Sequence, residues 1–357
     1  SNYAMSTKSF LSNEGDVLSI GEKPTLAIKN PSASMRMALA EALMNLISAP
    51  IKNLDLVRLS ANWMAACGDE KDNYDLRSGV EALSNICVEM GIAIPVGKDS
   101  LSMKTKWHKD GQHLEVKSPL SGVVTAMAPV DDVSLAITTE FSKNGSKDLY
   151  HLFLNDEFRL GGSIFEEVTS SSIQRVPDID YVKSFKTLLN SIQELIQRGW
   201  IVALHDISDG GIFSTVAELS FTNKVGIEIF SPETVQNESL MQYLFAEETG
   251  AVIQFHNEFE DQALDFLKQI NINCQKCATQ KSDAKISISL NGRVEFSDSV
   301  VNLEKVWSET SYSIKSSRDN PDSAKEEFDL IEKFDNQGLV ARDNFKFSAQ
   351  LPAFNKN

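Results

Sequence analysis

The period of the hydrophobic pattern changes back and forth along this chain, and that alternation constrains its fold more than any other feature. Short apolar runs of strand length give way to segments with apolar residues at helical spacing, first from about residue 18 to 129 and again from about residue 149. In the first stretch Leu26-Ala27-Ile28 reads as a strand leading into Pro31. A helix follows to about Ala49, then a strand at residues 56–59, a helix at 74–91, and strands at 92–96 and 122–127. The polar run at 142–147 reads as a turn or linker. Beyond it, strands at 150–154 and 200–204 flank a helix at 182–198, whose Phe185, Leu188, Leu189, Ile192, Leu195 and Ile196 recur at helical spacing until Gly199 stops it. Helices at 212–221 and 260–270 and strands at 250–255 and 284–290 complete a second layer. The expected fold class is α/β and α+β in two domains, residues 16–145 and 146–310. Residues 1–15 read as a tag remnant and linker, and residues 311–357, where the chain turns polar, as an irregular tail.

Composition narrows the function. At 357 residues there is length for two domains with separate cores, and no apolar run approaches the length that crosses a bilayer, so no membrane partner is expected. A formal net charge of -16 argues against nucleic acid as a partner, because that recognition relies on clustered Lys and Arg. Phosphates would then be handled through divalent metal held by carboxylates, or in one local basic pocket. The four cysteines are too few for a disulfide framework, and Cys274 and Cys277 lack the further ligands zinc would need, so they read as ordinary thiols. With no secretion signal, the expected compartment is the cytoplasm.

Three constellations carry candidate chemistry. Glu41 and Asn45 lie four apart on one helix face that otherwise bears small or uncharged residues such as Ser34, Ala38 and Ser48. A face so poor in charge is expected to be covered, and a buried carboxylate needs a partner, of which a metal ion shared with Asn45 is one. The segment His205-Asp206-Ile207-Ser208-Asp209-Gly210-Gly211 sits between a buried strand and a helix. Carboxylates, a hydroxyl and paired glycines suit magnesium and phosphate at a helix N-terminus, while an equally simple reading makes Ser208 or Asp209 a plain N-cap. Gly97-Lys98-Asp99-Ser100 follows a strand and is not a P-loop, since Ile92 stands where the first glycine belongs and Asp99 where Ser or Thr belongs. It presents a lysine, a carboxylate and a hydroxyl at a strand end, with Lys104 and Lys106 close behind, or else a solvated Lys and Asp pair. His205 reads as a hydrogen-bonded structural histidine, and no covalent nucleophile can be assigned.

Seven blocks in order resemble the large formylglycinamidine ribonucleotide synthetases. They begin with Gly21-Glu22-Lys23-Pro24, residues 36–45 and residues 59–66, continue with residues 95–105 and 205–211, and end with residues 247–254 and Arg318-Asp319-Asn320-Pro321. The resemblance implies the C-terminal half of the synthetase region, with two domains like the N-terminal, barrel-forming and C-terminal domains of aminoimidazole ribonucleotide synthetase. It implies a purine-biosynthetic ligase (EC 6.3.5.3) that converts formylglycinamide ribonucleotide, ATP and glutamine-derived ammonia to formylglycinamidine ribonucleotide, ADP and phosphate. Carried over by position, Glu41, Asn45 and Asp206 resemble Mg2+ ligands, and Ser208 and Gly210 contacts of an ATP or ADP that is structural in the large enzymes. Gly97 and Ser100 match substrate-binding positions, and Lys98 and Asp99 fall among catalytic ones.

The departures shape the expectation further. Ile207 stands where the family usually has arginine and Thr249 where it has leucine, and the family's catalytic histidine, glycine-rich nucleotide segment and glutaminase domain have no counterpart in these residues. The implied partners are therefore the N-terminal half and the glutaminase domain of a parent chain, or a second copy through an exposed barrel half. The isolated chain is expected to be inactive. Two other readings fit the same residues: a complete homodimeric synthetase of the related fold, like selenophosphate or aminoimidazole ribonucleotide synthetase, and a non-catalytic nucleotide-binding module.

Overall fold

The computed structural model describes residues 3–154, 157–231 and 240–334, together with 342 and 344. The chain opens with an antiparallel hairpin, β1 (Tyr3–Ser9) and β2 (Ser12–Gly21). A one-turn helix α1 (Pro24–Ala27) and the long α2 (Pro31–Leu46) follow, then β3 (Arg58–Met64), α3 (Glu70–Met90), β4 (Ala93–Ser100), the β5 (Lys104–Lys109) and β6 (Gln112–Lys117) hairpin, and β7 (Ser121–Val130). The strands of this unit form a sheet in the order β1-β2-β7-β3-β4, with only the β3 and β4 pair parallel, while β5 and β6 form a separate ribbon.

The second unit contains β8 (Asp148–Phe153), α4 (Ile164–Thr169), α5 (Val182–Gln197), β9 (Ile201–Asp206), α6 (Gly211–Asn223), β10 (Gly226–Phe230), α7 (Leu240–Phe245) and β11 (Gly250–Phe255). It ends with α8 (Glu260–Gln269), β12 (Asn273–Lys281), β13 (Lys285–Leu290), β14 (Arg293–Ser299), α9 (Val300–Arg318) and α10 (Pro321–Asp329). Its sheet runs β14-β13-β10-β12-β8-β11-β9.

Strand periodicity sorts this second sheet into two cores. Tyr150, Leu152, Ala251, Ile253 and Phe255 face α5 and α8, whereas Leu149, Val252 and Cys277 face α6 and α7. The first of these cores continues without a break into α2, α3 and the first sheet. Helix α2 is the junction. Asn30 caps it by accepting from the Ala33 N–H at 3.0 Å and Pro31 occupies its first turn. Ala33, Met37, Ala40 and Leu43 are buried on every side of it, as befits a helix packed between β2, β7 and α3 and reaching β9. Close approach of β2 is possible because Gly21 has no side chain: a Cβ there would lie 2.2 Å from the Ala38 carbonyl oxygen.

The mixed α/β and α+β class holds, and three local expectations are corrected. Leu26-Ala27-Ile28 is not a strand, because Pro24 starts a helical turn that buries Leu26 and Ala27 against α2 and leaves Ile28 in solvent. Residues 3–15, expected as linker, form β1 and the start of β2, whose alternating exposed residues hid the strand signal. Residues 311–334 are largely helical rather than irregular, since Asn320 accepts from the Asp322 and Ser323 N–H groups and Pro321 starts α10. The remainder of the expected tail lies outside the described residues, apart from Arg342 and Asn344. Among the described residues no helix is long and apolar enough to cross a membrane.

His151 on β8 is fully enclosed, stacked on Phe153 with ring centroids 4.8 Å apart, edge-on to Tyr243 at 6.0 Å, and its Nδ1 has no hydrogen-bond partner. Burial pushes its pKa down to about 3 from 6.5, so the folded state keeps it neutral while the unfolded chain takes up a proton below pH 6.5. This contribution to stability is intact above pH 6.5 and is lost progressively as pH falls toward 3. Comparing wild type with His151→Phe by urea denaturation at pH 7.5 and 5.0, we expect wild type to lose about 2 kcal/mol more on acidification. Equal losses in the two proteins would show that His151 titrates freely in the fold.

Candidate functional site

The site is built where α2 meets the turn after β9. Asp206 is the last residue of β9 and is buried, and Gly210 and Gly211 both take left-handed backbone angles, φ +83° and +68°. A Cβ on Gly211 would sit 2.7 Å from the Leu244 carbonyl oxygen, so this turn must be glycine for α6 to begin close to the α7 end. The plain N-cap reading fails: the cap is Gly210, and neither Ser208 nor Asp209 bonds the first turn through its side chain. Instead the Gly210 N–H donates to Glu247 Oε1 at 2.9 Å, and the same oxygen accepts the Ile164 N–H at 3.0 Å.

Asp209 reaches the other way. Its Oδ1 lies 2.6 Å from Lys23 Nζ, and Lys23 in turn lies 3.5 Å from Glu41 Oε1. The other oxygen of Glu41 accepts the Glu22 N–H at 2.8 Å. Lys23 is itself buried; burial alone would lower its pKa, but Glu41, Asp209 and Glu247 together raise it well above its ordinary value. Burial raises the Glu41 carboxyl, offset by Lys23 and the Glu22 N–H, and the charges of Asp209 and Asp206 also bear on it. Burial likewise raises Glu247. One lysine thus ties together carboxylates from α2, the 206–211 turn and the segment before β11.

Asn45 follows Glu41 by one turn of α2, with its amide nitrogen 3.5 Å from the Ile20 carbonyl. Its Oδ1 and the Oδ2 of Asp206 are buried without a hydrogen-bond partner. Stranding such oxygens costs roughly 1–3 kcal/mol each, which a cation would remove. The donors are a carboxylate, an amide oxygen and a second carboxylate, the hard oxygen set Mg2+ prefers when phosphates complete its shell. Among the described residues no cluster of three or more His, Cys, Asp or Glu is arranged to hold a metal, so a site here depends on Asn45 and on ligand oxygens.

His205 Nδ1 lies 2.9 Å from the Asp206 carbonyl oxygen and Nε2 lies 2.7 Å from Glu218. Burial lowers its pKa, but hydrogen bonds to Asp206 and Glu218 outweigh that and raise it to about 9. It is a hydrogen-bonded structural histidine behind Asp206, as the sequence reading expected. Cys274 and Cys277 are free, and burial pushes the Cys274 thiol up to about 12.

The second expected locus is separate. Gly97, Lys98, Asp99 and Ser100 lie within β4, the edge strand, rather than after it, because the parallel pairing with β3 continues through Met64 and Ser100. Lys98 and Asp99 are exposed, and Lys98 Nζ donates to Ser100 Oγ at 2.8 Å. Gly21, Val124, Ala61 and Gly97 form one row across the sheet. Three strand spacings put Gly97 about 14 Å from Gly21. Sequence reasoning named Lys23 and Glu247 only inside matched blocks and gave them no role, and it read Asp209 as a carboxylate of the turn or an N-cap, not as a partner of Lys23.

Residues 1–129 match the FGAR-AT PurM_N-like domain family and residues 154–291 match the AIR synthase related protein, C-terminal domain, family. The chain is 38% identical over 337 residues to a phosphoribosylformylglycinamidine synthase of Schizosaccharomyces pombe, covering 92% of this chain and 25% of that one. It thus spans about a quarter of that curated relative's length. Its fold is similar to that of Thermotoga maritima PurL complexed with FGAR, with a TM-score of 0.66 at 11% identity, covering 83% of this chain and 48% of the other. It is also similar to the same organism's PurL complexed with ATP, with a TM-score of 0.62 at 11% identity, covering 80% of this chain and 44% of the other.

Proposed function

We propose that the chain, which is 38% identical over 92% of its length to about a quarter of a phosphoribosylformylglycinamidine synthase, is the C-terminal half of the synthetase region of such a ligase. In this reading the parent uses ATP to activate the amide of formylglycinamide ribonucleotide and replaces its oxygen with ammonia released from glutamine. In this reading the two domains expected at residues 16–145 and 146–310 are joined by the polar segment 142–147, with β1 added to the first and the rest of α9 to the second. The four free cysteines fit a reducing, cytoplasmic setting.

What supports the reading is that Asn45, one turn from Glu41 on α2, and Asp206, at the end of the strand that α2 reaches, each leave a buried oxygen without a partner beside a glycine turn. These residues would hold Mg2+ of a bound ATP or ADP, with Ser208 and Gly210 against the phosphates. Magnesium there supplies charge neutralisation between carboxylate and phosphate oxygens. The chain's own residues do the positioning: Glu247 fixes the Gly210 N–H, and His205 offsets the charge of Asp206. Because α2 and β9 come from different units, nucleotide in this place ties the two together, which supports an architectural rather than a reactive role.

Lys98, Asp99, Gly97 and Ser100 would serve the reactive site, set on an open sheet edge where a second half can complete it. Lys98 would place a positive charge on the transferring phosphoryl group or the substrate phosphate. The row Ile20, Thr125, Ser60 and Val96 lies on the sheet face away from α2, where Ile20 is 55% and Val96 57% exposed. That apolar face fits the missing N-terminal half of the parent, or a second copy of this chain, as its cover.

Thermal or urea melts with Mg2+ and ADP test the reading. At ligand a hundredfold above Kd the chain should gain about 2.7 kcal/mol, and Asp206→Asn should remove that gain. The same sample should not turn over ATP with formylglycinamide ribonucleotide and ammonia. Identical melts for both proteins with and without Mg2+ and ADP would sink the nucleotide site, and turnover by the isolated chain would sink its status as one half of a synthetase.

A further inference from the structure

We infer that Lys23 makes cation binding and phosphate binding at the junction of α2 and the 206–211 turn depend on each other. The inference rests on the nucleotide reading of that site and adds a rule for how the site fills.

Glu41 Oε2 already accepts the Glu22 N–H at 2.8 Å, which leaves Oε1, the oxygen that Lys23 Nζ faces at 3.5 Å, as the more open oxygen for a metal. A divalent ion seated there would stand beside a buried ammonium, and like charges at such range in a buried setting repel strongly. Metal alone is therefore disfavoured while Lys23 stays where it is. Phosphate alone is disfavoured too, because Glu41, Asp206, Asp209 and Glu247 surround the place, and Glu247 already occupies the Gly210 N–H at the start of α6.

Metal and phosphate together satisfy every group. The metal would take Glu41 Oε1 and the stranded oxygens of Asn45 and Asp206, and Lys23 would exchange Glu41 for the phosphate while keeping Asp209. Lys23 has a way to make that exchange. Its shortest contact is to Asp209, whose side chain is 64% exposed at the mouth of the turn, so the ammonium can follow Asp209 outward without losing a partner. Its backbone stays fixed, because the Lys23 carbonyl accepts the Ser34 hydroxyl at 2.6 Å and only the side chain needs to move. Lys23 is a positioning residue here, an internal cation that holds the place of the metal until an anionic ligand arrives.

Isothermal titration of the chain with Mg2+ alone, ADP alone and each in the presence of the other gives the coupling factor directly. In the wild type we expect each ligand to tighten the other by roughly 5–150-fold, the ordinary range for coupled sites. In Lys23→Met the expected result is opposite in sign for the two ligands: Mg2+ alone binds about tenfold tighter, ADP with Mg2+ binds more weakly, and the coupling falls about tenfold or more below wild type, to what direct metal–phosphate contact supplies. Lys23→Arg should keep the coupling. A merely structural lysine would weaken both ligands together. Should Lys23→Met fail to fold, Lys23→Gln, whose amide can donate to the same carboxylates, carries the same comparison. Coupling as large in the Met or Gln variant as in the wild type overturns the inference and leaves the nucleotide site standing. Wild-type chain that binds neither ligand, with Asp206→Asn indistinguishable from it, overturns both.

Discussion

Replacing Arg159 by Met should destabilise the chain by about 3–5 kcal/mol, the cost of leaving a buried charge without its partner. Arg159 Nε and Nη2 donate to the two oxygens of Glu248 at 2.6 and 2.9 Å, and both side chains are almost wholly buried. Glu248 receives a third bond at 3.2 Å from the Arg159 backbone N–H. Burial already raises the Glu248 carboxyl, held in check by Arg159, so removing the guanidinium strands an acid in the interior. The double variant Arg159→Met with Glu248→Leu should recover most of the loss, because an apolar pair of similar volume has no charge to desolvate. Urea denaturation of the two proteins decides it: a single variant within about 1 kcal/mol of wild type would mean that water reaches Glu248. Since Glu247 next door fixes the Gly210 N–H, the single variant should also shrink the stabilisation by Mg2+ and ADP.

The second large effect is expected at Gly21. A methyl group there meets the Ala38 carbonyl oxygen at 2.2 Å, the Ala42 nitrogen at 2.4 Å and Glu41 Cβ at 3.0 Å. Two of these atoms belong to the backbone of α2, which is packed on all sides and has nowhere to retreat. Gly21→Ala should therefore cost about 3 kcal/mol, at the upper end of what overpacking usually costs. It should also displace the Glu22 N–H from Glu41, so that whatever protein folds responds little to Mg2+ and ADP. A variant of wild-type stability would mean that β2 can lift from α2 freely.

The parts of this architecture that could be read in the residues are those where the signal is local. Helix α2 announces itself through Asn30 and Pro31 at its start, and α5 through its apolar stripe from Phe185 to Ile196. Asn320-Pro321 offered the same kind of start signal for α10 and was outweighed by the polar composition of a helix that buries only Ala324. The β1 and β2 hairpin was hidden for a related reason, since a strand with one open face shows few consecutive apolar residues. At the site, Glu41, Asn45 and Asp206 were legible as residue types in suggestive places. That they belong together was implied only by the family resemblance, and the Lys23 to Asp209 contact, which spans 186 positions, is encoded by no local pattern. Helical spacing could say that Glu41 and Asn45 share a face, but only the packing of β9 against α2 says what that face sees.

Helix α2 packs against β2, β7 and α3 of its own unit and also reaches β9 of the neighbouring one, so one apolar core runs through both units. The chain therefore has no clean place to be divided. Anyone seeking a minimal nucleotide-holding module, by proteolysis or by design, would have to keep both units, because parting them at the polar connection would open the apolar core they share. Duplication or shuffling of this architecture over evolutionary time would be expected to move the pair as a single inheritance.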